Sequence, residues 1–148
     1  MNLGDAFPPE LKKGHAANCL ETGGVIRVFD VSASKIKILM VVGCDSESDN
    51  LACCYINSEV NLNVIITSEL KGLQYKLCPT DYDFLHHDSH LDCSKLVVHK
   101  KPKLLSIITE TPKACLGELK DGHRVAILNH IKRATTISKY KKEAFGLM

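Results

Sequence analysis

The densest group of side chains suited to chemistry lies between Asp81 and Cys93, where histidines and carboxylates alternate. In an extended chain, every second residue from His86 to Asp92 would point to one side. Histidine titrates near neutral pH and can serve as a base or an acid. RNA cleavage without a metal needs such a base for the 2′-hydroxyl and a cation for the charge that develops on phosphorus. We therefore predict four catalytic candidates: His86, His87, Asp88 and His90.

The cation for this reaction would be Arg27 or Lys95, which the sequence alone does not bring to the histidines. Histidines and carboxylates are also the ligands of divalent metals such as zinc, so a metal-dependent hydrolase is an alternative. The spacing matches no standard zinc pattern, however, and we predict no metal. The favoured structural interpretation is a polar loop in which Asp88 and Ser89 bond to local backbone groups. The chain has neither a Gly-rich phosphate loop nor a G-x-S-x-G motif, so we predict no cofactor and no serine hydrolase.

Basic side chains are grouped in the last third of the chain, near the ends of predicted helices. Lysine is a flexible point charge suited to contacting phosphate without reading bases. An ordinary solvated helix surface would explain each group separately. We predict that together they form a nucleic-acid-binding face made of Lys100, Lys101, Lys103, Lys132, Arg133, Lys139, Lys141 and Lys142.

The charge distribution agrees with a polyanionic partner. The net charge is only +2, but residues 1–94 carry seven Lys and Arg against thirteen Asp and Glu, whereas residues 95–148 carry twelve against four. Such asymmetry favours contact with RNA, DNA or an acidic protein. Attraction between the two parts within a monomer or a homodimer explains it equally well.

The elements that position these residues change along the chain. Residues 1–24 contain Pro8, Pro9 and four glycines and predict an arm or extended loop, with at most a short turn of helix from Glu10 to Lys13. Residues 25–98 are strand-rich, with predicted strands at 25–31, 35–43, 51–56, 64–66, 73–77 and 91–98. Residues 99–148 form a basic helical part, with predicted helices at 103–111, 121–134 and 138–145. Asp121 and Ser138 are predicted N-caps, and Gly146 follows the last helix.

Short strands without long helices between them are typical of an antiparallel curled sheet or a small barrel. We predict a single α+β domain over residues 1–148: a small antiparallel β-barrel or curled sheet, SH3-like, followed by a three-helix C-terminal segment.

The seven cysteines are odd in number and include no C-x-x-C pair. Four of them, Cys44, Cys53, Cys54 and Cys93, lie in or directly beside predicted strands, so we predict buried, reduced thiols and an intracellular protein. No N-terminal segment resembles a signal peptide. The aliphatic run at 38–42 has five residues, where a bilayer span needs about 20. We predict a cytoplasmic protein without membrane contact.

The middle of the chain resembles the MazF/PemK group over roughly 60 residues. An apolar strand at 35–43 and a second strand at 51–56 precede a Phe-x-x-His-x-Ser-x-x-Asp-like stretch that begins at Phe84. The resemblance implies an SH3-like barrel, endoribonuclease toxin activity and an antitoxin partner. The chain departs from the family at Gly4-Asp5, some twenty residues before the first strand. It also lacks the Arg-Pro that opens the family's second strand, so the usual catalytic arginine has no counterpart there.

Our leading functional prediction is a toxin–antitoxin-like or mobile-element-like protein that binds RNA or DNA, with metal-independent endoribonuclease activity as its extension. The first alternative is a non-enzymatic interaction module whose basic helical tail meets an acidic protein partner. The second is the metal-dependent hydrolase built on the His/Asp cluster.

Overall fold

A computed structural model describes residues 9–45, 47–59 and 67–148 and shows an α+β fold built on a curled antiparallel half-barrel. The helices are α1 (Pro9–Cys19), α2 (Ser68–Gly72), α3 (Lys101–Glu110), α4 (Asp121–Arg133) and α5 (Lys139–Ala144). The strands are β1 (Gly24–Asp30), β2 (Lys35–Asp45), β3 (Asn50–Asn57), β4 (Gln74–Leu77), β5 (Ser89–Asp92), β6 (Val97–Lys100) and β7 (Cys115–Glu118). The predicted strand at 64–66 lies outside the described residues. Within the described ranges, no helix has both the length and the apolar character to cross a bilayer.

The sheet runs in the order β4-β5-β3-β2-β1-β7, and β6 also pairs with β3. Because β2 occupies one edge of β3, β5 and β6 share the other edge: β6 pairs with its first half and β5 with its last residues. We predicted one strand over 91–98, but the structure breaks it into β5 and β6. The break follows Asp92, whose Oδ1 accepts hydrogen bonds from the amide (2.9 Å) and hydroxyl (2.5 Å) of Ser94.

Two apolar cores lie on opposite faces of the sheet because strand residues alternate in direction. On β2, Leu39 and Val41 face one core, and Met40 and Val42 face the other. The first core packs against α1 and α3, and the second against α4 and the segment that follows it. The long apolar run of β2 is therefore buried on both sides, which explains why it lacks simple alternation.

The N-terminal segment is not an extended arm, because α1 occupies residues 9–19. Its periodicity is weak: among its described side chains only Ala16 and Cys19 are buried, followed by Leu20 after the helix. The helix packs against α3 and β7, and a disulfide joins Cys19 to Cys115 across 96 residues. Tertiary contacts, rather than an amphipathic pattern, hold this helix in place.

The C-terminal part is not purely helical. Between α3 and α4 the chain returns to the sheet as β7, which pairs with β1. Asp121 is the first residue of α4 rather than its cap, and its carboxylate accepts a hydrogen bond from the Arg124 guanidinium at 2.8 Å. Ser138 does cap α5, accepting a hydrogen bond from the Lys141 amide at 3.2 Å. Gly146 follows that helix with a φ of 70°.

The prediction that all the cysteines are free is wrong, since Cys19 and Cys115 are bonded. Their Cα atoms are brought to 6.0 Å by the packing of α1 on β7, two elements that the sequence pattern did not indicate. Cys53 and Cys54, by contrast, are fully buried core residues, as predicted. Burial raises the pKa of Cys53 to about 12, so its thiol stays protonated.

Candidate functional site

A cavity of about 580 Å³ opens where β1, β2 and β3 meet the loop between β4 and β5. Its polar lining residues are Arg27, Lys35, Lys37, Asn57, Ser58, His86, His87 and Ser89. Its apolar lining residues are Ile36, Ile38, Ile56, Phe84, Leu85 and Leu116. We call this cavity the basic pocket, because none of the described residues that line it is an Asp or a Glu.

The basic pocket gathers cations from the acidic part of the chain. Three of the seven Lys and Arg residues of segment 1–94 line it, namely Arg27 on β1 and Lys35 and Lys37 on β2. Arg27 lies opposite Ile38 in the β1–β2 ladder. Arg27 and its partner Ile38 face one side of the sheet. Lys35 and Lys37 alternate with Ile36 and Ile38 and face the other side, where the Lys37 ammonium contacts the Tyr55 ring. Arg27 is therefore the cation on the side of the apolar lining, and a cationic site without a lining carboxylate attracts anions.

Lys37 is held in position by its neighbours. Its ammonium donates a hydrogen bond to Asn57 Oδ1 at 2.5 Å and lies 4.8 Å from the centre of the Tyr55 ring. Burial lowers the pKa of Lys37, and repulsion from Lys35 and Lys95 lowers it further. The carboxylates of Asp30 and Asp92 act in the opposite direction and raise the pKa of Lys37.

The loop that carries His86 and His87 is fixed on both sides of the two exposed histidines. Before them, Leu85 is buried and the Tyr82 hydroxyl accepts a hydrogen bond from the Lys120 amide at 3.0 Å. After them, the Ser89 hydroxyl donates to the His87 carbonyl at 3.2 Å. The backbone is thus anchored while both imidazoles stay open to solvent and to the basic pocket.

The other two predicted catalytic residues lie elsewhere. Asp88 pairs with Lys76 at 3.3 Å on the surface, outside the lining of the basic pocket. His90 belongs to β5, where it pairs with Lys76 and Asn57 in the ladders. Burial lowers the pKa of His90, as does the charge of Lys76. The strand register therefore separates these residues from His86 and His87.

The His/Asp cluster does not form a metal site within the described residues. Asp92 is buried, and its Oδ1 is occupied by the Ser94 groups and by Gln74 Nε2 at 2.9 Å. The described ranges contain one group whose ligand atoms all lie within 4.8 Å of one another, made of His15, Cys19 and Cys115. This group lies between α1 and β7, away from the basic pocket.

The basic residues of the last third do not form one face. Lys101 and Lys103 are on α3, which covers one side of the sheet, whereas Lys132 and Arg133 end α4 on the other side. Lys142 is also wrongly assigned: it is 9% exposed, and its ammonium donates to the carbonyls of Lys132 (2.8 Å) and Ala134 (2.6 Å). The nucleic-acid role of the exposed lysines stays a prediction.

Sequence reasoning missed Lys35 and Lys37 as site residues. Their alternation with Ile36 indicated only an edge strand, and the signal that was present was a pair of cations in an acidic segment. The position of Arg27 beside His86 and His87 depends on the sheet register, which no local pattern specifies.

In comparisons with protein-family models and with curated proteins, the chain gives no match.

Proposed function

We propose that this protein binds single-stranded RNA in the basic pocket and cleaves it without a metal. One observation carries the proposal: Arg27 and two solvent-open histidines line one cavity that has no lining carboxylate among the described residues. Metal-independent RNA cleavage requires this combination of a positive charge and two titratable groups.

The pocket walls suit a nucleotide as well as a phosphate. Arg27 offers a planar fork for two phosphate oxygens, and Lys35 and Lys37, whose side chains leave β2 on its other face, add positive potential nearby. Phe84 supplies an aromatic face beside Ile38 and Leu116, on which an unstacked base can lie. An apolar wall next to a cationic one is the arrangement by which proteins hold single-stranded RNA.

The chemistry assigned to His86 and His87 is an acid–base pair. One imidazole takes the proton of the ribose 2′-hydroxyl, and the 2′-oxygen forms a bond to phosphorus. The bond from phosphorus to the 5′-oxygen breaks, and that oxygen receives a proton from the other, protonated imidazole. Arg27 stabilises the charge on the non-bridging oxygens. The products are a 2′,3′-cyclic phosphate and a free 5′-hydroxyl.

The biological setting belongs to the same proposal. Resemblance to the MazF/PemK group would make this chain the toxin of a toxin–antitoxin pair that acts on cytoplasmic RNA, with a homodimer as its assembly. An acidic antitoxin segment would compete with RNA for the basic pocket. Arg27, on β1, would replace the arginine that the family carries at the start of its second strand.

A non-enzymatic interaction module is the second candidate, supported by the hairpin beside the basic pocket. The side chains of Phe29 and Ile36, which face each other in the β1–β2 ladder, are 59% and 58% exposed. An apolar ridge next to three cations also suits a peptide with acidic and apolar side chains.

Binding is tested with a fluorescent RNA oligonucleotide of mixed sequence, titrated at several salt concentrations. The double variant Arg27→Gln/Lys35→Gln should bind at least tenfold more weakly. It should also reduce the slope of log affinity against log salt by about 1.4, since each single-strand phosphate contact contributes about 0.7. Lys71→Gln, a matched change on α2 outside the pocket lining, should leave both quantities unchanged. Equal effects of the two substitutions would contradict a specific pocket.

Cleavage is tested on the same RNA in the presence of EDTA, with a 2′-deoxy copy as the control substrate. We expect a cyclic phosphate product from RNA only, and its loss in His86→Ala and in His87→Ala. Binding without cleavage would leave an RNA-binding protein. No RNA binding, together with binding of an acidic peptide that Phe29→Ser abolishes, would replace the proposal with the interaction module.

A further inference from the structure

Two elements at the first core bring together one histidine and two cysteines. His15 and Cys19 lie four residues apart on α1 and therefore share one helix face, and Cys115 is the first residue of β7. The distance from Cys19 Sγ to His15 Nε2 is 3.6 Å, and the ligand atoms of all three residues lie within 4.8 Å of one another. The sequence indicated only a turn of helix at 10–13 and no strand at 115–118, so this cluster is a product of the tertiary fold.

The cluster has two mutually exclusive chemical states. In the disulfide, each sulfur is bonded to the other and neither is a thiolate. Reduction by a dithiol transfers two electrons to the pair and leaves two thiols, which lose their protons when they bind a metal ion. The reduced state therefore offers two sulfur ligands and one nitrogen ligand at the same place.

We propose that Cys19 and Cys115, once reduced, bind Zn²⁺ together with His15, and that formation of the Cys19–Cys115 disulfide releases the ion. Two thiolates balance the charge of Zn²⁺, and an imidazole completes a ligand set that zinc prefers. Three protein ligands leave a fourth position for water or another ligand.

The observed nitrogen–sulfur distance fits a zinc centre. Bond lengths of about 2.3 Å to sulfur and about 2.0 Å to nitrogen in a tetrahedral site place the two ligand atoms about 3.5 Å apart. Cys19 Sγ and His15 Nε2 are 3.6 Å apart. The helix therefore holds two of the three ligands in position, and rotation of the Cys115 side chain would supply the third.

The surroundings allow entry of the ion and protect its bonds. His15 is exposed, whereas Cys19 is 6% exposed and Cys115 is half-buried among the first core's residues. An ion can reach the cluster past His15 from solvent, and the apolar side below it strengthens its interaction with thiolates. The exchange reaction balances: an oxidant such as glutathione disulfide accepts two electrons from the two thiolates and is cleaved to two glutathione thiolates, which take up protons from solvent, while the Cys19–Cys115 bond forms and Zn²⁺ leaves.

The test is a zinc titration of the full chain in reduced and oxidised form, in competition with a chromogenic chelator. We expect one equivalent of Zn²⁺ on the reduced protein and none on the oxidised protein. In the reduced state Cys19→Ser, Cys115→Ser and His15→Ala should each weaken binding at least tenfold. Cys44→Ser, a change at an exposed free cysteine, should leave it unchanged.

Cobalt substitution provides a readout that does not depend on how the cysteine variants fold. Reduced protein loaded with Co²⁺ should show a thiolate-to-cobalt charge-transfer band, which His15→Ala shifts and glutathione disulfide abolishes. His15 is exposed, so its replacement should preserve the fold. Absence of stoichiometric Zn²⁺ on the reduced protein would overturn the proposal, as would equal binding by the oxidised form.

Discussion

Lys142, which the charge pattern assigned to a nucleic-acid face, is expected to act on stability instead. Its ammonium donates to the carbonyls of Lys132 and Ala134, at 2.8 Å and 2.6 Å, where α4 ends. The last carbonyls of a helix have no partner within the helix and carry partial negative charge. A buried lysine is thus the C-terminal partner of α4.

The cost of removing this ammonium follows from those two bonds. A hydrogen bond to a charged group contributes roughly 1.5–3 kcal/mol, and a carbonyl left buried without a partner costs about as much. Lys142→Met keeps most of the apolar stem and loses only the donor. Because water can reach part of the opened site, we expect a loss of about 3 kcal/mol rather than the full sum.

Urea unfolding followed by circular dichroism measures this loss. With a dependence of about 2 kcal/mol per molar urea, the midpoint should fall by about 1.5 M. Lys141→Met, one residue earlier and exposed, should change stability by no more than about 0.5 kcal/mol. RNA affinity of the folded Lys142→Met protein should equal that of the wild type. A midpoint within 0.3 M of the wild type would refute the capping role, and weaker RNA binding at unchanged stability would restore the original assignment.

Two further predictions concern buried ionisable groups. Burial raises the pKa of Asp30, but hydrogen bonds to its carboxylate and the charge of His99 outweigh this and leave the pKa below its usual 3.8. A carboxylate with a depressed folded-state pKa stabilises the fold above its unfolded-state pKa, and this stability is lost as the pH falls through the folded-state pKa. Urea unfolding between pH 6 and pH 3 should therefore show a steeper acid loss for the wild type than for Asp30→Asn, and parallel curves would contradict this. With the disulfide intact, a thiol reagent at pH 8 should modify exposed Cys44 at once and Cys53 only after unfolding. The reason is that burial raises the pKa of Cys53 to about 12. Simultaneous modification of the two cysteines would show that this core opens readily.

The first three strands could be predicted from the sequence because local runs of apolar and β-branched residues indicate them. β1 at Gly24–Asp30, β2 at Lys35–Asp45 and β3 at Asn50–Asn57 each lie within two residues of the prediction at their two ends. A segment rich in β-branched residues can be recognised as a strand without knowing which strand it pairs with.

Elements that depend on distant partners escaped prediction. β7 has four residues, includes Gly117 at a φ of 143°, and becomes a strand only by pairing with β1. α1 has little amphipathic pattern and is held by α3, β7 and the disulfide. In both elements tertiary contacts override weak local propensity.

The residues of the candidate site also fall into those that the local sequence suggested and those that only long-range pairing places there. Residue chemistry was enough to select His86 and His87 and to require a cation. The placement of Arg27 at the same cavity requires the ladder of β1 with β2 and the path of the β4–β5 loop, which are long-range features of the fold. Residue types can indicate which side chains are suited to a reaction, but the strand register determines which of them lie close together.

The pairing of β7 with β1 has a consequence for the rate of folding. Gly24 pairs with Glu118, and nearly all the strand residues lie between them in sequence. This pairing therefore closes the longest loop in the sheet. Closing a loop of that length costs on the order of 4 kcal/mol of chain entropy, and this cost precedes the stabilisation by the β1–β7 hydrogen bonds. Local hairpins such as β1–β2–β3 form first, and β7 docks late. The Cys19–Cys115 bond lies beside this contact, so unfolded chains that retain it begin with the loop closed and should refold faster than reduced chains.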